Sequence, residues 1–199
     1  MSRKTLALLS LLWLLATVTL GLQSWVGSKT IYAAGLESRR EQLHESIMAN
    51  QAPGGGTWAQ AGALSIQKRV GVVYLAEGLR RISGFPISTV YKLLDSVFLF
   101  GSLVALFFYL RKWLPDVYCL IGLLYFCAVL PLTYFFQLFH PWDRPQLALW
   151  IILLYLVEQR RFLMLALGLV LSILVKFDTV LLPALYALVH WRKGDEKRV

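Results

Sequence analysis

From Pro145 to Trp191 the chain reads PQLALWIILLYLVEQRRFLMLALGLVLSILVKFDTVLLPALYALVHW. Three apolar blocks, 145–157, 162–175 and 179–191, are separated by Glu158-Gln159-Arg160-Arg161 and by Lys176-Phe177-Asp178. Long apolar runs punctuated by short charged clusters are the pattern of helices that cross lipid repeatedly. Working outward, three further blocks of the same kind precede them, at about 5–26, 88–110 and 117–139. The composition agrees. Of 199 residues, 58% are hydrophobic and 16% charged, against about 45–50% and about 25% in soluble globular chains. A soluble domain and a disordered chain are both excluded. The expected fold is an all-α bundle, one membrane domain over 1–199 with six spans. Two cysteines cannot supply a disulfide framework or a cysteine-rich zinc site.

The formal charge of +9 would suggest nucleic acid in a soluble protein. Here the basic residues sit at the ends of apolar blocks, with no basic face interleaved with aromatics, so nucleic acid is not an expected partner and the lipid bilayer is. Basic residues collect on the cytoplasmic side of short loops. With the N-terminus inside, the inner segments carry Arg3/Lys4, Arg111/Lys112, Arg160/Arg161 and the tail Arg192, Lys193, Lys197 and Arg198, while the two short outer connections carry only Arg144 and Lys176. Both termini are therefore expected in the cytoplasm, and a bacterial inner membrane is the expected location. Trp25, Trp113, Trp142 and Trp191 fall near the expected interfaces. The first block is too long for a signal-peptide core, and no small-x-small cleavage site follows it cleanly, so it reads as a retained helix.

The segment 28–86 is expected outside. It holds two helical stretches, about 33–49 and 64–82, around the break NQAPGGGT at 50–57. In the second stretch Val70, Val73, Tyr74, Leu75, Leu79 and Ile82 form one apolar stripe with Lys68, Arg69, Arg80 and Arg81 at its ends, as in a helix lying on a membrane surface. Glu37, Glu41 and Glu45 share one face of the first stretch, at i, i+4 and i+8. One of them could serve as general base or metal ligand; the alternative is a solvated face paired with Arg39 and Arg40.

A hydrocarbon core of about 30 Å needs about 20 helical residues. The blocks 162–175 and 179–191 reach only roughly 21 and 20 Å at about 1.5 Å per residue. If both start at the inner face, the Lys176–Asp178 turn lies within membrane depth, where charges are tolerated only against a polar cavity or under protein cover. His140, Asp143, Arg144, Lys176 and Asp178 are thus expected to converge at the floor of an outward-facing cavity, with Arg144 as a bidentate fork and Lys176 as a point charge for an anionic headgroup. The competing readings are a capping box from Asp143 to Gln146 with Pro145 in the first turn, a cap from Asp178, and a snorkelling Lys176.

Other chemistry is thinner. His44-Glu45 begins an H-E-x-x-H pattern that fails at Met48. Asp95 lies inside a span, with Lys92 one turn away as a candidate partner. Cys119 and Cys127 read as packing residues. No nucleophile elbow or phosphate loop occurs, and Gly54-Gly55-Gly56 reads as a hinge.

The run FHPWDRPQLALWIILLYLVEQRRFLMLALGLVLSILVKFDTVLLPALYAL, 139–188, following a first span and a long outer loop with acids and a surface helix, resembles the N-terminal half of GT-C type membrane glycosyltransferases, the superfamily of protein O-mannosyltransferases and lipid A aminoarabinose transferases. The resemblance implies sugar transfer from a polyprenyl-phosphate carrier at the outer face of the membrane. It implies a carboxylate of the first outer loop as base or metal ligand, here Glu37, Glu41 or Glu45, and a grip on the lipid phosphate by Arg144 and Lys176. The cofactor is left open, a divalent cation being one candidate. Two departures stand out: the family's early aspartate is replaced by glutamates, and its later spans are not in this chain, as expected either for a truncated or split protein or for a shared scaffold without activity. The rival expectations are a non-catalytic membrane subunit of an envelope-polysaccharide or lipid-linked sugar complex, acting with a membrane protein partner, and a small transporter or flippase.

Overall fold

The computed structural model of the chain describes residues 3–27, 36–49, 70–134, 140, 142–159, 161–175, 181–182 and 185–186. Among the described residues every regular element is helical and there is no strand. The elements are α1 (Arg3–Gly27), α2 (Leu36–Met48), α3 (Gly71–Ser83), α4 (Ile87–Leu110), α5 (Asp116–Val129), a 3-10 segment (Leu130–Tyr134), α6 (Asp143–Glu158) and α7 (Phe162–Val175). Residues 181–182 and 185–186 are also helical.

Where apolar blocks are bounded by charge or proline, the helices follow the expected limits. α7 spans the expected block 162–175, and α1 and α4 extend 5–26 and 88–110 by a residue or two. α4 starts after Pro86, which has extended backbone, and α5 after Pro115. Proline has no N–H to give and suits the residue just before or at a helix start. The block 117–139 does not run as one α-helix. Pro131 cannot donate to the carbonyl of Cys127, so the α-helix ends at Val129 and the chain continues as a 3-10 segment. Residues 135–139, and all but four of 179–191, lie outside the described residues.

α3 begins later than the expected 64; residues 64–69 lie outside the described residues. It ends at Gly84, whose φ of 72° is the left-handed conformation glycine adopts without a Cβ penalty, and whose amide donates to the carbonyl of Arg80. The stripe expected along α3 is split. Val73 is buried with Val72 and Ala76, and Val70 and Leu79 pack beside them, while Tyr74, Leu75 and Ile82 are exposed on the other side. A 3.6-residue repeat places positions 73 and 75 some 200° apart, so one face cannot carry both.

α4 is the hub, packing against α1, α2, α3, α5 and α6. Three apolar clusters surround it. Leu12 and Ala16 of α1, Leu99, Leu103 and Phe107 of α4, and Cys119, Leu123 and Cys127 of α5 form the first; both cysteines are buried packing residues. Ile47, Val72, Val73, Ala76, Val90, Tyr91, Leu94 and Trp142 form the second, where α2, α3, α4 and the start of α6 meet. Leu153, Val157, Leu165 and Leu182 form the third. α3 meets α7 backbone to side: a Cβ on Gly71 would lie 2.8 Å from the Leu174 carbonyl oxygen, so that crossing admits glycine alone at this spacing.

Two helices, Arg3–Val26 and Ile87–Leu110, are long and apolar enough to cross a membrane. Only 17% and 33% of their apolar windows are buried, unlike the core helix of a soluble protein. The unburied side of the bundle is apolar: Leu14, Val18 and Leu22 on α1, and Leu163, Leu167, Val170 and Leu174 on α7, are all exposed.

Candidate functional site

Three of the buried polar residues, His44, Glu77 and Asp95, gather toward the N-terminal end of α4. On α2 the inward face is Arg40, His44 and Ile47, the i, i+4, i+7 spacing of one helical stripe. On α3 it is Val73 and Glu77, and on α4 it is Tyr91 and Asp95. Each pair is four apart, so both members point at the same neighbour.

Arg40 reaches across from α2 and donates to the Asp95 carboxylate at 3.0 Å, with side-chain exposures of 13% and 9%. The same guanidinium lies over the Tyr91 ring at 4.8 Å. The expected partner of Asp95 was Lys92; the observed ion pair is with Arg40. An ion inside a span is stabilised by an opposite charge that reaches it, and on α4 Asp95 is buried while Lys92 is exposed.

Glu77 is the second buried acid. It accepts from Arg80 at 2.6 and 2.8 Å and from Arg81 at 2.7 Å, the i+3 and i+4 neighbours on its own helix. These guanidinium bonds hold its carboxyl far below the usual carboxylate range. The Arg80 guanidinium is raised in return. His44 sits between Glu77 and Tyr91, its Nε2 3.4 Å from the carboxylate and its Nδ1 2.9 Å from the Tyr91 hydroxyl. A carboxylate only accepts, so Nε2 carries the hydrogen and Nδ1 accepts from Tyr91. Burial pushes the imidazole below its ordinary pKa, against the pull of Glu77. His44 is therefore a neutral link between α2, α3 and α4.

Glu77 gives the site an acid limit. A carboxyl whose pKa falls on folding adds stability above its unfolded value near 4.5, and that stability is lost as pH falls through the folded value. Thermal unfolding temperature should thus decline progressively below about pH 4.5, and Glu77→Gln should flatten that decline. An unchanged acid limb in the variant would show that Glu77 is not its source.

The start of α6 closes the other side. Arg144 is fully buried and donates to Gln23 of α1. Trp142 is fully buried too, stacked on the His140 ring at 5.0 Å and 11°. Asp143 accepts from the His140 backbone amide at 2.8 Å. The expected capping box from Asp143 to Gln146 is not formed: Trp142 is the N-cap, the Gln146 backbone amide donates to the Trp142 carbonyl, and the Gln146 side chain is buried with no hydrogen-bond partner among the described residues. His140, Asp143 and Arg144, neighbours in sequence, lie together around the start of α6, and Arg144 is buried inside the bundle. Lys176 and Asp178 lie outside the described residues.

A small surface cleft is lined by Arg40 and Glu41 from α2 and by Ser88, Tyr91 and Lys92 from α4. Of the three aligned glutamates, Glu41 lines this cleft, Glu45 is exposed, and the side chain of Glu37 lies outside the described residues. The glutamate face is adjacent to the inward Arg40–His44–Ile47 face and is not the inward face itself. Arg40, Glu77, Tyr91 and Gln23 were not legible as site residues from the sequence. The available signals were an acid four residues after a stripe valine in α3 and a tyrosine four residues before the aspartate of the apolar block in α4. Among the described residues no three His, Cys, Asp or Glu side chains gather as a metal site. No family model, curated protein or solved structure matches the chain.

Proposed function

We propose that the chain is a six-span membrane protein of GT-C type, with both termini cytoplasmic in a bacterial inner membrane, that takes a sugar from a polyprenyl-phosphate carrier at the outer face. The observation that carries this reading is the cleft between α2 and α4, where a carboxylate, a hydroxyl and two cations stand together beside a helix apolar enough to span lipid. Glu41 takes the proton of the acceptor hydroxyl as its oxygen attacks the anomeric carbon. The bond from that carbon to the carrier phosphate breaks, and Arg40 and Lys92 stabilise the negative charge left on the phosphate.

The test is sugar transfer from a polyprenyl-phosphate donor by purified protein in lipid. Glu41→Gln should reduce turnover by about a hundredfold or more, the scale of a lost general base, with donor binding retained. Full activity in the Gln variants of Glu37, Glu41 and Glu45 alike would remove the catalytic role. A second reading, a non-catalytic subunit that binds lipid-linked sugar alongside a membrane protein partner, is favoured by one observation: the buried acids Asp95 and Glu77 are both engaged in ion pairs. Donor binding without transfer by the unmodified protein would select it. Loss of function on Asp95→Asn with all three glutamates dispensable would select the transporter reading instead.

A further inference from the structure

α3 carries two apolar sides, and only one of them belongs to the bundle. Val72, Val73 and Ala76 pack inward. Tyr74, Leu75 and Ile82 are exposed, and so is Phe85 in the turn that follows. Four large apolar side chains on one 13-residue helix and its exit turn are a patch, not the scatter of single residues found on any protein surface.

The patch has a direction. Gly71, Leu75, Gly78 and Ile82 fall at i, i+4, i+7 and i+11, one helical stripe, with Tyr74 beside it. The first member shows where the stripe points. A Cβ on Gly71 would lie 2.8 Å from the Leu174 carbonyl oxygen and 3.0 Å from the Leu174 Cβ, so this side of α3 rests on the last turn of α7. Leu174 is itself exposed, as are Val170 and Leu167 below it. The stripe therefore starts where the exposed apolar side of α7 ends.

The ends of α3 give its level. α7 has 14 residues and rises roughly 21 Å, against a hydrocarbon core of about 30 Å. Started from the inner face, as the six-span reading has it, α7 stops short of the outer surface, and α3 crosses it there. The other end of α3 passes through Gly84-Phe85-Pro86 into the first turn of α4, a helix long enough to cross lipid. α3 thus links the outer ends of two apolar helices and runs across them. The charge matches: Arg81, seven residues after Tyr74 and at the edge of the stripe, is 70% exposed, and a guanidinium suits lipid phosphate.

We propose that α3 is an in-plane membrane anchor: its Leu75–Ile82 side, with Tyr74 and Phe85, sinks into the outer leaflet of a phospholipid bilayer. The side that meets lipid is the one turned away from Val73, and the opposite charge-lined side holds α2 through His44 and Glu77. The anchor accordingly sets the height of the cleft above the bilayer. It rests on the membrane reading proposed above and is independent of the sugar chemistry.

Spin-label depth measurement on the full chain in phospholipid nanodiscs tests it. Leu75→Cys and Ile82→Cys carry the label in turn, and depth is read from collision with oxygen against a water-soluble nickel chelate. Ile82 is 86% exposed, so its replacement removes no packing. Cys119 and Cys127 are buried, and the unsubstituted protein supplies the labelling background. Val97→Cys, exposed near the middle of α4, is the reference for the span. The labels at 75 and 82 should lie about 5–10 Å into the boundary between headgroups and acyl chains, with the label at 97 deeper. Labels at 75 and 82 open to nickel, with 97 deep, overturn the anchor and leave the span reading standing. Labels shielded from oxygen and nickel alike mean that protein covers the stripe, which also overturns it. A label at 97 open to nickel overturns the span reading and the anchor with it.

Discussion

Arg40→Met should lower the stability of the folded protein by about 3–5 kcal/mol, because it leaves the Asp95 carboxylate buried without its cation. Asp95 is 6% exposed, and its Oδ1 already has no hydrogen-bond partner among the described residues. The opposite single change, Asp95→Asn, should cost less. Asparagine carries no charge, and the Arg40 guanidinium, which also lies over the Tyr91 ring, stands on a long flexible stem that can swing toward the cleft it already lines. The double variant Arg40→Met/Asp95→Leu should regain most of the loss, since apolar replacement of a buried ion pair is often neutral or stabilising. Unfolding by SDS titration in mixed micelles measures all three. Equal losses from the two single changes, with no recovery in the double, would mean that the pair is not what fixes α2 to α4.

Trp142→Ala should be comparably damaging, at about 3–5 kcal/mol for a large aromatic removed from a closed core. Trp142 is fully buried in the apolar cluster that joins α2, α3 and α4 to the start of α6. Its ring also stacks on His140. Four elements converge on the space it leaves, so no single side chain can relax to fill it. Trp142→Phe keeps an aromatic surface and should cost much less. The same titration separates the two, and near-ultraviolet circular dichroism should lose the contribution of Trp142, one of seven tryptophans, in both. An alanine variant as stable as the phenylalanine one would contradict the burial described for this residue.

The sequence made the helices legible and left the contacts between them obscure. Apolar blocks ending in Arg111-Lys112 or Arg160-Arg161 reveal α4, α6 and α7 because a continuous run of apolar side chains has to end where charge begins. The block 117–139 contains Pro131, whose missing N–H turns the α-helix into a 3-10 segment, a local fact that block hydropathy averages away. On α2 the periodicity yields two polar faces, one of glutamates and one of Arg40 and His44, and polarity alone does not say which turns inward. That choice is made by partners far along the chain: Asp95 lies 55 residues from Arg40, and Tyr91 lies 47 from His44. Long-range pairing of this kind leaves no spacing to read. Arg144, expected at the floor of an outward-facing cavity, is buried, and its partner Gln23 is 121 residues away on α1.

Those separations bear on biogenesis. Each buried charge of α4 and α6 meets a partner that lies earlier in the chain: Arg40 is made before Asp95, and Gln23 before Arg144. In a chain that enters the bilayer as it leaves the ribosome, Asp95 and Arg144 each arrive where a complementary group already waits. On the six-span reading proposed above, neither would have to sit in hydrocarbon until a later segment appears, and the order of synthesis would itself shield both from the lipid.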